Sequence, residues 1–142
     1  MVLLGASIPK DFIGGSLYII QENYPLYLEV IKYTLMISIS GTAFGLLLAL
    51  FIIIFRIQES DTRDNLGRRF YKKTSVILSS SYVEFFRGTP MMVQAAIFYY
   101  GLAMLGFRIP ILIAGIIIVT LNTAAYLTEV LRAGINSIDS GQ

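Results

Sequence analysis

At 142 residues, with 56% hydrophobic and only 14% charged, the chain is more apolar than a soluble domain, which runs about 45–50% apolar and about 25% charged. A net charge of +2 offers no basic surface for nucleic acid. Having neither Cys nor His, the chain lacks the ligands and bases of zinc sites, haems, disulfide frameworks and Ser-His triads.

The chain reads as an all-α membrane protein with three transmembrane helices. Residues 1–32 form an external segment with an interfacial helix around 11–23, and show no cleavable signal. The first span is 33–55, where 23 uncharged residues lie between Lys32 and Arg56, about 34 Å of helix against a hydrocarbon core of about 30 Å. A basic loop, 56–81, follows. The second span, 82–107, contains the uncharged run 88–107, and the third, 108–131, contains the run 109–128, 20 residues each. A tight turn at 106–110 joins them, with Pro110 in the first turn of the third span, where its missing N–H costs nothing. Residues 132–142 close the chain. A soluble bundle would need polar helices to cover these runs, and the chain has none to spare. No internal repeat is present.

Loop charge sets the orientation. Residues 56–81 carry Arg56, Arg63, Arg68, Arg69, Lys72 and Lys73 against Glu59, Asp61 and Asp64. The positive-inside rule places this loop in the cytoplasm. The amino terminus is then outside and 132–142 cytoplasmic, in a multi-pass protein of the cytoplasmic (inner) membrane.

Polar residues inside the spans are the candidate functional groups. In the first span, Gly41 and Gly45 form a small-xxx-small pair that lets another helix approach. The second opens on Arg87, Gly88, Thr89 and Pro90, with Thr89 placed as N-cap and Pro90 as first helical residue. If 74–86 is also helical, this is a broken helix of the kind found at transporter sites; the alternative is a snorkelling arginine before an ordinary helix start. Gln94, one turn further, suits helix pairing or substrate contact equally. In the third span Asn122, Tyr126 and Glu129 share one face. They call for a partner helix or a wet cavity, unless Glu129 merely pairs with Arg132 one turn on.

Two long strings carry a family resemblance. Tyr82-Val83-Glu84-Phe85-Phe86-Arg87-Gly88-Thr89-Pro90-Met91-Met92-Val93-Gln94, followed by Phe98-Tyr99-Tyr100-Gly101-Leu102, resembles the signature of polar amino-acid ABC importer permeases. So does Leu121-Asn122-Thr123-Ala124-Ala125-Tyr126-Leu127-Thr128-Glu129-Val130-Leu131-Arg132-Ala133-Gly134-Ile135. The ending Ser137-Ile138-Asp139-Ser140-Gly141-Gln142 looks like the lead into the family's coupling loop, with Gly134, Gly141 and Gln142 at its start.

The resemblance covers roughly 30–142 and implies a type I ABC importer permease-like fold of about five helices, of which this chain holds three. It implies four kinds of partner: a second permease subunit in a homo- or heterodimer, an extracytoplasmic amino-acid-binding protein, an ATP-binding subunit that alone hydrolyses ATP, and the lipid bilayer. It implies no cofactor, metal or catalytic residue in this chain and no nucleic-acid partner. The family pattern continues Glu-Ala-Ala past Gly-Gln, whereas this sequence stops at Gln142, so the chain reads as the amino-terminal part of a permease.

On this resemblance Arg87, Gly88, Thr89, Pro90, Gln94, Asn122, Tyr126 and Glu129 border the substrate path. The substrate carboxylate would sit near 87–90 and its ammonium against the Asn122, Tyr126 and Glu129 face. Two rival readings remain. One is a non-transporting fragment or interaction subunit that binds intact permeases through Gly41, Gly45 and the polar face. The other is an ion channel, for which no filter of charges or carbonyls is evident.

Overall fold

A computed structural model describes residues 11–58 and 65–137. Among them are four helices and no strand: α1 (Phe12–Arg56), α2 (Leu66–Gly88), α3 (Met91–Met104) and α4 (Ile111–Asn136). The chain divides into two units, Met1–Met36 and Ile37–Gln142.

In the first unit, Asp11 starts α1. Its Oδ2 accepts the Gly14 amide at 2.7 Å and its carbonyl the Gly15 amide at 2.9 Å, the pattern of an N-cap. The helix runs through Pro25, which removes one ladder bond without ending it. The expected gap between an interfacial helix and a first span at 33 is therefore absent. Glu22, Glu29 and Lys32 interrupt the apolar run, but a charged side chain leaves backbone hydrogen bonding intact.

In the second unit, Gly41, Gly45, Ala49 and Ile53 form the buried stripe of α1, spaced so that all four share one face. It lies on α4. A Cβ on Gly41 would fall 2.6 Å from Val119 Cγ1, and one on Gly45 would fall 2.9 Å from Thr123 Cβ. A Cβ on Gly115 would in turn meet Ile37 Cδ1 at 3.1 Å. Each four-residue step along α1 meets a four-residue step along α4, so here the two helices run parallel. At Gly41 and Gly45 the absence of a side chain leaves room for the close approach of α4.

Helix α4 also packs against α2 and α3. Its buried residues, Ala114, Ile118, Ala124, Ala125 and Thr128, are small or apolar. Thr128 returns its hydroxyl to the Ala124 carbonyl at 2.7 Å, so that hydroxyl is not stranded. Much of the remaining surface is greasy: Leu47, Phe51 and Ile54 on α1 and Ile111 and Val130 on α4 are exposed, as suits lipid rather than water.

One expectation changes. Most of the loop expected at 56–81 is helical, because α2 begins at Leu66. The second span, expected at 82–107 with a break at Arg87 to Pro90, consists of the end of α2, the break, and α3, whose 14 residues reach about 21 Å. Only α1 and α4 are long and apolar enough to cross a bilayer as single helices among the described residues.

The turn expected at 106–110 is present and has a local cause. Phe107 donates to the Leu102 carbonyl at 2.9 Å and Gly106 to that of Ala103 at 3.1 Å, closing α3 in a Schellman motif. Gly106 has φ +87°, a conformation that disfavours any side chain. Pro110 is the N-cap of α4 rather than a residue of its first turn, and its carbonyl accepts the Ala114 amide at 3.0 Å.

Candidate functional site at the broken helix

Pro90 makes the break. Helix α2 ends at Gly88, Thr89 is extended, and Pro90 (φ −62°, ψ 131°) caps α3. Its carbonyl accepts the amides of Val93 at 3.0 Å and Gln94 at 3.2 Å. The cap is thus one residue later than the sequence suggested, because proline's fixed φ suits the N-cap backbone and needs no amide there. The Thr89 hydroxyl instead donates back to the Phe85 carbonyl at 2.8 Å.

The same proline leaves a carbonyl without its helical donor. In a continuous helix the Phe86 carbonyl would accept the N–H of residue 90, and proline has none. Gln94 and Asn122 supply the replacement. Gln94 Nε2 donates to the Phe86 carbonyl at 3.0 Å, to that of Thr89 at 3.0 Å and to Thr89 Oγ1 at 2.6 Å. Asn122 Nδ2 reaches the Phe86 carbonyl at 3.3 Å and Gln94 Oε1 at 3.4 Å, both long and therefore weak. A cavity of about 270 Å³ adjoins the network, lined mainly by Phe85, Phe86, Val93, Ile97, Phe98 and Leu121.

A second cluster lies one to two turns along α4. Glu129 is met by arginines from three helices: Arg56 Nη2 at 2.8 Å from Oε2, Arg87 Nη1 at 3.8 Å from Oε2, and Arg132, whose Nε is 3.1 Å from Oε1. The Arg87 guanidinium also sits over the Tyr126 ring, 5.4 Å from its centroid, within cation–π range. The Arg56 side chain is 11% exposed and that of Glu129 21%. This desolvation makes their pairing consequential.

No family model matches the chain. It is 34% identical over 119 residues to the arginine transport system permease protein ArtQ of Bacillus subtilis, covering 83% of this chain and 49% of that protein. It is 30% identical over 123 residues to the putative glutamine transport system permease protein GlnP of Rickettsia felis, covering 84% of this chain and 51% of that one. The chain therefore spans about half the length of these relatives. In structure it is similar to an amino acid ABC transporter crystallised with histidines, with a TM-score of 0.70, 29% identity, and coverage of 94% of this chain and 54% of that one. The chain is a relative of the amino-acid ABC transporter permeases.

Seen as part of a permease fold, the expected path residues separate into two groups joined by α4. Thr89, Gln94 and Asn122 hold the break, with Pro90 creating it. Arg87, Tyr126 and Glu129 form the ionic cluster. The Glu129–Arg132 pair is present, yet among the described residues it is one of three ion pairs on that carboxylate. A Cβ on Gly88 would meet nothing within 4 Å. Of the residues expected to begin the coupling loop, Gly134 lies near the end of α4, while Gly141 and Gln142 lie outside the described residues, as do Glu59, Asp61, Arg63 and Asp64 of the basic loop.

Sequence reasoning gave no site role to Arg56 or Tyr82. Arg56 follows the buried stripe Gly41, Gly45, Ala49, Ile53 by three residues, a spacing that keeps it on the α4-facing side. Tyr82 donates its hydroxyl to the Leu121 carbonyl at 2.6 Å, pinning α2 to α4 just before the break. No local pattern marks that contact.

Proposed function

We propose that the chain is the membrane-spanning part of an ABC importer that moves polar amino acids into the cytoplasm, driven by ATP hydrolysis on a separate subunit. The observation that carries this reading is the match in sequence and fold, over nearly the whole chain, to amino-acid ABC transporter proteins. The broken α2–α3 element supports it, because discontinuous helices present free first-turn amides to anionic groups of a substrate. The substrates named for the relatives, arginine and glutamine, suit a polar amino acid. The partners of this reading are a second permease subunit, an ATP-binding subunit, an extracytoplasmic amino-acid-binding protein and the bilayer.

The parallel run of α1 and α4 supports a crossing order. Two spans in the same direction need one return between them, and the end of α2 with α3 is the segment available. With Arg56, Arg68, Arg69, Lys72 and Lys73 on the cytoplasmic side, the amino terminus lies outside and α4 ends in the cytoplasm.

In this reading the substrate carboxylate approaches the first-turn amides of α3, at Met91 and Met92, beside Arg87. Glu129 is ringed by three guanidiniums. It is therefore held by arginines rather than free to accept an ammonium, leaving Asn122 and Tyr126 as the polar groups of that face. Alternating access comes from rocking of paired subunits under ATP-driven closure.

The test is uptake of radiolabelled arginine and glutamine into vesicles carrying the assembled importer. Arg87→Gln is expected to lose uptake at least tenfold while still inserting and binding the ATP-binding subunit. Wild-type uptake and substrate-stimulated ATPase in both Arg87→Gln and Glu129→Gln would remove these residues from the path.

A further inference from the structure

Arg56 ends α1 with its Nη2 in ionic contact with Glu129; among the described residues its Nη1 and Glu129 Oε2 are both buried without a hydrogen-bond partner. A buried guanidinium donor left unpaired is costly. The same side chain lines an open cavity of about 310 Å³ with Gln58, Val76, Arg132 and Asn136. Among the described residues three guanidiniums meet one carboxylate there, and the cavity holds four polar side chains, Arg56, Gln58, Arg132 and Asn136.

We propose that Arg56 and Arg132, with Gln58 and Asn136, form a binding site for a phosphate-bearing anion at the end of the α1 and α4 spans. Guanidinium N–H groups match phosphate oxygens in geometry and charge, and side-chain amides complete such a shell. Two sources share this chemistry: the headgroup of an anionic phospholipid, since basic pockets between membrane helices recognise such groups, and free phosphate. The site is separate from the break at Pro90 and does not depend on which solute is carried.

The experiment follows thermal unfolding of the 142-residue chain in neutral micelles by circular dichroism. Inorganic phosphate, dioctanoyl phosphatidylglycerol and dioctanoyl phosphatidylcholine are titrated separately, with potassium chloride holding ionic strength constant. A ligand that binds only the folded chain raises the midpoint with concentration. A saturable rise of several degrees is expected with phosphatidylglycerol. A rise with phosphate as well shows that the phosphate group itself is recognised, a rise with phosphatidylglycerol alone assigns the site to lipid, and a rise with phosphate alone assigns it to the soluble anion.

Arg56→Gln should abolish the rise. Because that variant also loses the pair with Glu129, Gln58→Glu is the second probe. It places a carboxylate in the cavity, so it should raise the midpoint without added anion and remove the response to anion. The proposal is overturned if neither phosphate nor phosphatidylglycerol exceeds the phosphatidylcholine control, or if Gln58→Glu responds like the parent chain.

Discussion

The side-chain amide of Gln94 on α3 donates to the main-chain carbonyl of Phe86 on α2, 3.0 Å away across the break. It replaces the helical donor that Pro90 lacks, so a local defect of the backbone is repaired by a residue on the next helix. Gln94 is itself buried, which means that removing its amide strands the carbonyl away from water. Gln94→Leu is expected to destabilise the chain by about 1–2 kcal/mol, read as a lower unfolding midpoint in micelles. An unchanged midpoint would show that the break needs no side-chain cap.

Glycine substitutions should differ in sign according to position. Gly41→Ala puts a methyl against Val119, whose branched side chain has little rotamer freedom, and should cost about 1–3 kcal/mol. Gly106→Ala should cost about 1 kcal/mol through its left-handed backbone alone. Gly101→Ala, in α3 with nothing within 4 Å of the added carbon, should instead stabilise by about 0.5–1 kcal/mol. Midpoints of the three variants, measured side by side, check the order.

Glu129 should couple unequally to its three arginines. Arg56 is 11% exposed and 2.8 Å away, whereas Arg87 is 41% exposed and 3.8 Å away. Double-mutant cycles of Glu129→Gln with Arg56→Gln should give a coupling of about 1 kcal/mol or more. Those with Arg87→Gln should give a few tenths, since exposed pairs contribute little. The cycle with Arg132→Gln should fall below that with Arg56, because Arg132 is the more exposed partner. Equal couplings would mean that burial does not set the strength of the cluster.

The crossing order can be read chemically, because the chain has no cysteine of its own. Phe107→Cys, after the α3 turn, should react with a membrane-impermeant maleimide in intact cells. Phe70→Cys, on α2, should react only after permeabilisation. The reverse pattern would invert the orientation proposed from loop charge.

Some of this architecture is legible in a few consecutive residues. The long uncharged runs declare membrane helices, because a bilayer demands continuous apolar length. Pro90 announces a break, because a missing N–H is a property of the residue itself. The turn at Gly106 and the shared face of Asn122, Tyr126 and Glu129 follow from equally short-range rules. Those rules misjudge 56–81, where charge suggests a loop and the backbone is helical from Leu66. Polarity reports solvent preference, and hydrogen-bonded conformation is a separate matter.

What tertiary structure alone decided is which groups meet. No spacing in the sequence pairs Arg56 with Glu129, Tyr82 with Leu121, or Asn122 with the Phe86 carbonyl. Each contact depends on the register in which α1 and α2 lie along α4. For α1 that register is set by close approach at Gly41, Gly45 and Gly115, far along the chain from Arg56 and Glu129. Apolar length is read along one continuous run and a missing donor within a single turn, so neighbouring residues suffice for the membrane class and the break. Ion pairs and borrowed caps act across helices, so only the packed fold could turn a list of polar residues into a repaired break and a three-arginine cluster.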